Sequence, residues 1–289
     1  MKNYTAIYAE KKLTHNPKVS VLLATYNRPQ FVGTSIQSAL DQTFHDFEVL
    51  VICDSNSDKT RLAVEPFMKL DARLKYFGIP RNGRIASVSN YGLAQARGEY
   101  VAILDDDDSW SDAEKLAKQV MFLDEHPNYV GCGGGYITVD IDGKETGRFL
   151  KPEHDEDIRR NILVANPMAN ATTMFRRAAA MAIGSYDETM KEFADWDFWL
   201  KMGIQGKLYN FPEYFLYYRM WPQGSSFTKQ RGAAASALRI VRRHRNNYPR
   251  FLQAYCLALA YSAYVHLPES IKCFLNGPFS RLKKSIVAR

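Results

Sequence analysis

Tyr100-Val101-Ala102-Ile103-Leu104-Asp105-Asp106-Asp107-Asp108 passes from an unbroken apolar stretch straight into four carboxylates. The apolar half has the length and composition of a buried strand. The acidic half cannot follow it inward, because burying unpaired charge is prohibitive. Neighbouring carboxylates also repel one another, so water or a cation must answer them. A solvated acidic loop meets that demand. So does a divalent ion, Mg²⁺ or Mn²⁺, held by hard oxygen ligands whose shell substrate phosphates complete.

Upstream, Val19–Ala24 is a second apolar run, ended by Asn27-Arg28-Pro29, and Phe31–Leu40 places its apolar residues on one helical face. Phe47–Ile52 reads as a strand closed by the polar turn Asp54–Asp58, and Thr60–Leu70 as a helix. Leu74–Phe77 is a short strand stopped by Pro80 and Gly83, and Ile85–Ala96 a helix with Gly98 as its C-cap. Strands alternating with helices at this spacing predict a mainly parallel, doubly wound α/β sheet. Ligands bind such sheets beyond the carboxyl ends of the strands. Thr25-Tyr26-Asn27, Asp54 and Asp105–Asp108 therefore share one rim.

After Trp110 the pattern changes. Ala113–Glu125 is helical, Tyr129–Cys132 and Tyr136–Val139 read as strands around three glycines, and Asp142-Gly143 marks a hairpin. Thr172–Phe175 is a further strand and Asp195–Met202 a helix. Without an internal repeat or low-complexity linker, residues 18–226 read as one catalytic domain, with an N-terminal extension (1–17) and a basic, helical C-terminal extension (227–289).

The 289 residues are 46% apolar and 24% charged, which excludes large-scale disorder. The net charge of +7 arises late, at Arg242, Arg243, Arg245 and Arg250 and again at Arg281, Lys283, Lys284 and Arg289. Such a region suits an anionic membrane surface or simply a solvated face. Nucleic acid is disfavoured, because there is no zinc-finger or RNP signature and the rim is acidic. Phe251–Leu267 falls short of the ~20 apolar residues of a spanning helix. Phe279–Arg289 alternates apolar and basic residues as an interfacial helix does; helices packed on the catalytic domain are the alternative. Four scattered cysteines without a CxxC pair, and no apolar h-region in Met1–Lys18, predict free thiols in a reducing cytoplasm.

Taken in order, Val19–Arg28, Val51–Asp58, Asn82–Asp108 and Asp187–Leu200 resemble the family 2 glycosyltransferases, inverting enzymes of the GT-A fold. The resemblance implies that Thr25 and Tyr26 border the nucleotide's base and ribose, with Arg28 in the same site. It gives Asp54 a hydrogen bond from the base, which favours uracil and hence a UDP-sugar. Asn82, Arg84 and Asn90 would line the nucleotide pocket. Asp105 would face the ribose and phosphates with Asp106 beside it, and Asp107 would be the principal ligand of Mn²⁺ or Mg²⁺. One of Asp106 and Asp108 is expected to face solvent. Asp195 matches the catalytic base, with Asp197 as runner-up.

Three positions depart from the family pattern: Ser89 stands where many members have Arg, Ala194 replaces Glu, and no histidine lies near Trp221. Arg219 and Ser225-Ser226 are the nearest substitutes for that histidine. The residues alone leave other roles open: an Asx turn for Asp54, a helix cap for Asp195, and core packing or sugar stacking for Trp196, Trp199 and Trp221. The implied activity is transfer of a sugar to a hydroxyl of a glycan or lipid-linked acceptor, in bacterial surface polysaccharide assembly, at the cytoplasmic membrane face. A nucleotidyltransferase would need a Gly-rich basic loop in place of Thr25–Arg28. A catalytically impaired scaffold is the other rival, motivated by Ala194 and Trp221.

Overall fold

Residues 5–8, 15–55, 58–221 and 230–267 are described by the structure, a computed structural model. The apolar runs become strands β1 (Thr5–Tyr8), β2 (Val19–Thr25), β3 (Phe47–Cys53), β4 (Leu74–Gly78) and β5 (Tyr100–Asp105). Helices α1 (Pro29–Leu40), α2 (Asp58–Leu70) and α3 (Ile85–Gln95) connect the last four. All seven residues of β3 are buried, as expected of a strand covered on both faces. β4, β3, β2 and β5 lie side by side and parallel, and β1 adds an antiparallel edge to β4. The chain steps outward from β2 to β4, then returns to the other flank of β2 as β5. The reversal opens a crevice between the carboxyl ends of β2 and β5. Thr25–Arg28 and Asp105–Asp108 are the residues that emerge there.

The second half extends the same sheet with mixed strand directions. β6 (Ser109–Trp110), β7 (Tyr129–Val139), β8 (Glu145–Phe149), β9 (Met174–Arg176) and β10 (Lys207–Arg219) continue it in the order β5-β9-β7-β10-β6, with β8 paired to β7. Helices α4 (Lys115–Glu125), α5 (Asp155–Asn161), α6 (Arg177–Ala182) and α7 (Ala194–Gln205) connect and cover these strands. The three glycines expected to separate two strands lie inside the single strand β7. A Cβ at Gly134 would stand 2.6 Å from the buried Phe215 ring, so the missing side chain makes room for β10. Gly98 likewise serves packing and not capping: a Cβ there would lie 2.5 Å from the Ser20 amide nitrogen.

Helices α8 (Gln230–Arg243) and α9 (Phe251–Val265) pack onto this body. Ala237, Ile240, Val241, Tyr248 and Ala254 join a core that includes Trp196, Phe198 and Trp199. The Tyr248 hydroxyl donates to the Leu200 carbonyl at 2.7 Å. Of the two alternatives for the C-terminal region, packing is the one realised over these residues. α9 nevertheless leaves Leu252 and Leu259 in solvent. No helix among the described residues is long and apolar enough to cross a membrane. Phe279–Arg289 and Cys273 lie outside the described residues; Cys53, Cys132 and Cys256 are free thiols.

One ionic clamp ties α8 to α7. Arg243 sits 2.9 Å from Asp197 and 2.7 Å from Asp187, and His244 Nε2 lies 3.1 Å from Asp197. Burial alone would raise both acids, but hydrogen bonds and charge from Arg243, with His244 at Asp197 and Thr189 at Asp187, hold each below its ordinary value. Groups with depressed folded values contribute stability that is fully present above the unfolded carboxylate value and is lost progressively as pH falls from there through the folded values. Arg243→Met should therefore lower the urea midpoint at pH 7, with a smaller deficit at pH 3; an equal deficit at both would refute the clamp.

Candidate active site

The four aspartates occupy four different environments. Asp106 turns under the strand end, where it accepts hydrogen bonds from Arg28 (2.7 Å) and the Tyr26 amide (3.3 Å). Asp108 is also buried and accepts from the Arg219 amide at 2.9 Å; its second carboxylate oxygen has no hydrogen-bond partner among the described residues. Ser35 shares its hydroxyl hydrogen between the carbonyls of Asp106 and Asp108, at 2.9 Å and 2.6 Å. Asp107 Oδ2 lies 2.9 Å from Arg28 and accepts from the Trp221 indole N–H at 2.9 Å. Neither Asp106 nor Asp108 faces solvent, contrary to expectation. An unpaired carboxylate at that depth would be far costlier than one fixed by a guanidinium.

Asp105 alone of the four lines the main cleft, a space of about 510 Å³ that Asp195 also lines. Partial burial, reinforced by the charges of Asp107, Asp106 and Asp195, pushes the Asp105 carboxyl up to about 7. Asp195 lies in the first turn of α7, where burial raises its carboxyl. Backbone N–H groups at the helix start, Asn166 and the Lys151 charge partly offset that rise. The Asn166 amide donates to Asp195 at 2.8 Å and so fixes its orientation. A carboxylate oriented by an amide and held above its usual range is a stronger base than an ordinary aspartate. Asp197, the runner-up, faces the other way into the clamp with Arg243 and is fully buried.

The donor set suits a partly coordinated cation. Among the described residues no cluster of three or more acidic, His or Cys ligands forms a closed cage. Asp105 and Asp107 present hard oxygens from one turn. Mg²⁺ and related ions commonly take one or two carboxylates and complete their shell with water and substrate phosphates.

The other expected residues are distributed less simply. Thr25 is buried and presents little surface. Tyr26 is half-buried, with the Arg81 guanidinium 4.5 Å from its ring centre. Both oxygens of Asp54 are engaged by main chain, accepting from the amides of Asn82 (2.7 Å) and Gly83 (2.8 Å). Asp54 thus pins a distant turn, in which Gly83 takes a φ of +70°, and does not form a local Asx turn. Arg84 and Asn90 are drawn to the loop before α7: Arg84 donates to the Glu188 carbonyl at 2.6 Å, and Asn90 to the Tyr186 carbonyl and the Glu188 carboxylate, each at 2.9 Å. Neither points at the aspartate turn.

Arg219 donates to the carbonyls of Asp107 and Ile141, serving the turn's main chain. Ser225-Ser226 lies outside the described residues. Trp196 and Trp199 belong to the core, while Trp221 packs edge-to-face on Phe31 and reaches Asp107. Sequence reasoning missed Arg81, Lys151 and Asn166. Lys151 and Asn166 stand in irregular segments where no periodicity or motif singles out a residue, and Arg81 opens the Arg81-Asn82-Gly83 element of the resemblance without a role of its own.

The chain belongs to glycosyl transferase family 2, whose sequence profile matches residues 20–184. It is a glycosyltransferase with the GT-A fold. It is 30% identical over 205 residues to EpsE of Bacillus subtilis (strain 168), named as a glycosyltransferase, covering 70% of this chain and 72% of that one. It is 29% identical over 225 residues to TuaG of the same organism, named as a teichuronic acid biosynthesis glycosyltransferase, covering 75% and 84%. Among solved structures, TarS (residues 1–349) of S. aureus with UDP-GlcNAc superposes with a TM-score of 0.65 at 22% identity, covering 86% of this chain and 72% of that one. The mannosyltransferase PcManGT of Pyrobaculum calidifontis with GDP-Man and Mn²⁺ gives 0.63 at 17%, covering 95% and 84%. At these identities the two structures speak to the fold alone.

The aspartates separate by experiment. Asp106→Ala strands Arg28 and the Tyr26 amide, and losing hydrogen bonds to a charge should cost about 2–3 kcal/mol. In a chain of this size that is a fall in Tm on the order of 5–10 °C. Asp105→Asn removes one of several repelling charges and should leave Tm unchanged or higher. Equal melting losses for the two variants in differential scanning fluorimetry would contradict these assignments.

Proposed function

We propose that this enzyme transfers a sugar from a UDP-sugar, with inversion, to a hydroxyl of a glycan or lipid-linked acceptor in bacterial surface polysaccharide assembly. The observation that carries the reading is that Asp105 and Asp195, from opposite halves of the chain, line one cleft. The nucleotide lies over the carboxyl ends of β2–β4. There Tyr26 and Arg81 border the base, and Asp54 holds the Asn82–Gly83 turn that closes the pocket. Asp105 and Asp107 would hold Mg²⁺ or Mn²⁺, which supplies charge neutralisation to the departing diphosphate. Arg28, paired with Asp106 and Asp107, adds a fixed positive charge in the same turn.

Asp195, held by Asn166, accepts the proton of the acceptor hydroxyl. The acceptor oxygen bonds to the anomeric carbon from the face opposite the nucleotide, and the bond from that carbon to the diphosphate oxygen breaks. Its electron pair leaves with UDP, so a single displacement inverts the anomeric centre. The name of TuaG supports a polysaccharide setting, and the UDP-GlcNAc bound to TarS supports a UDP donor. Exposed Arg242 and Arg245 on one side and Leu252 and Leu259 on α9 support peripheral contact with the cytoplasmic face of an anionic membrane.

Asp195→Asn should reduce UDP release from UDP-sugars by about 10²–10⁴-fold, the usual worth of a general base. UDP binding measured by calorimetry should not change. Asp107→Asn should instead abolish the Mn²⁺ dependence of UDP binding. Binding of GDP-sugars in preference to UDP-sugars would overturn the donor assignment, and full activity of Asp195→Asn the base.

A further inference from the structure

Beyond Asp105 and Asp195 the cleft runs over one face of three adjacent strands. Phe149 on β8 pairs directly with Tyr136 on β7, and their rings stack at 5.3 Å with a 21° interplanar angle. Tyr218 on β10 meets Tyr136 edge-on at 5.7 Å. All three line the cleft, and Phe149 is 43% exposed, so the wall offers a ligand an aromatic face. A short chain of contacts joins this wall to Asp195. The Lys151 ammonium lies 5.6 Å from the Tyr136 ring centre and donates to the Asn166 carbonyl at 3.4 Å, and the Asn166 amide donates to Asp195. Two residues therefore separate the wall from the carboxylate.

Charge in the cleft is weighted toward the acids. Asp105 and Asp195 both line it, and Lys151, the basic residue of the lining, already serves the Asn166 carbonyl and the Asp195 charge. An incoming anion would meet two carboxylates and compete with them for that ammonium. The sheet order assigns this region its role. β2, β3 and β4 lie on one side of β5, and β7, β8 and β10 on the other, so Asp105 separates a first flank from a second. Accepting the transferase reading above, on which this step rests, the nucleotide takes the first flank and the acceptor the second.

We infer that the acceptor sugar is a neutral pyranose, seated with the apolar face of its ring on Tyr136 and Phe149 and with one hydroxyl toward Asp195. Aromatic side chains give such a face a large and rigid contact area. Uncharged hydroxyls need no counter-ion, whereas a carboxylate or phosphate on the same ring would be desolvated beside like charge. An acyl chain would suit the wall but would desolvate the carboxylates of the lining without giving them a hydrogen-bond donor. A polyhydroxylated ring answers both. The wall selects a ring, and the carboxylates select its charge.

Saturation-transfer NMR on the full chain with UDP and Mg²⁺ present tests the inference. The probes are methyl β-D-glucoside, methyl β-D-galactoside and methyl α-D-mannoside, each set against the methyl glycoside of the corresponding uronic acid. A further probe, 1-octanol, stands for an acyl chain. At least one neutral glycoside should bind, about tenfold more tightly than its uronic counterpart and more tightly than octanol. Phe149→Ala should weaken that glycoside about fivefold. Phe149→Leu, which keeps bulk and loses the ring, should do likewise, and UDP binding shows that both variants are folded. Asp195→Asn should narrow the gap between the neutral glycoside and its uronic counterpart. A uronic probe that binds as tightly as its neutral counterpart, or binding of octanol alone or of no probe, overturns the neutral acceptor. So does a glycoside indifferent to both Phe149 variants, or a gap that Asp195→Asn leaves unchanged. In each of those cases, UDP binding that persists leaves the transferase reading standing; its loss in the unmodified protein would sink both.

Discussion

Arg28 touches Asp106 at 2.7 Å and Asp107 at 2.9 Å, and those contacts let an acidic run close around the end of β5. Without a fixed cation there, four successive carboxylates would push one another toward solvent, and the turn would open. The guanidinium is helped by neutral donors: the Tyr26 and Arg219 amides, the Ser35 hydroxyl and the Trp221 indole. Each satisfies an acceptor that water would otherwise claim. The result is a turn in which Asp106, Asp107 and Asp108 are held by fixed donors while Asp105 lines the cleft.

The second half of the site depends on an equivalent division of labour within α7. Asp195 and Asp197 are two residues apart, so on a helix they point in different directions. Asn166 and the helix start hold Asp195 in the cleft, whereas Arg243 and His244 hold Asp197 against α8. The C-terminal helices thereby anchor the element that carries Asp195. Glu188, bonded to Ser87 and Asn90, ties the loop before α7 to α3 in the first half. Two halves of different strand topology are in this way held at one spacing across the cleft.

Much of the first half was legible because parallel strands buried on both faces are written as continuous apolar runs, and β2, β3 and β5 are such runs. The aspartate run was legible for the same reason: charge cannot continue a buried strand. The glycines misled because a glycine signals either a turn or a close approach, and only the neighbour decides which. At Gly98 the neighbour is the β2 main chain, and at Gly134 the Phe215 ring. Trp221 was noticed as a departure from the family pattern, yet its bond to Asp107 could not be read from spacing, since the two are 114 residues apart and meet only where β6 pairs with β10.

The sequence by itself determined the alternation of strands and helices, the rim on which polar residues gather, and the family, because these follow from local patterning and ordered motifs. Tertiary structure decided which carboxylate does what. Asp54 became a clamp on the Asn82–Gly83 turn, Asp106 a partner of Arg28, Asp197 an anchor for α8, and Asp105 and Asp195 the pair that share a cleft. All five are Asp residues at element boundaries, chemically identical in one dimension. Their roles diverge only when folding fixes which cation, amide or open space each one meets.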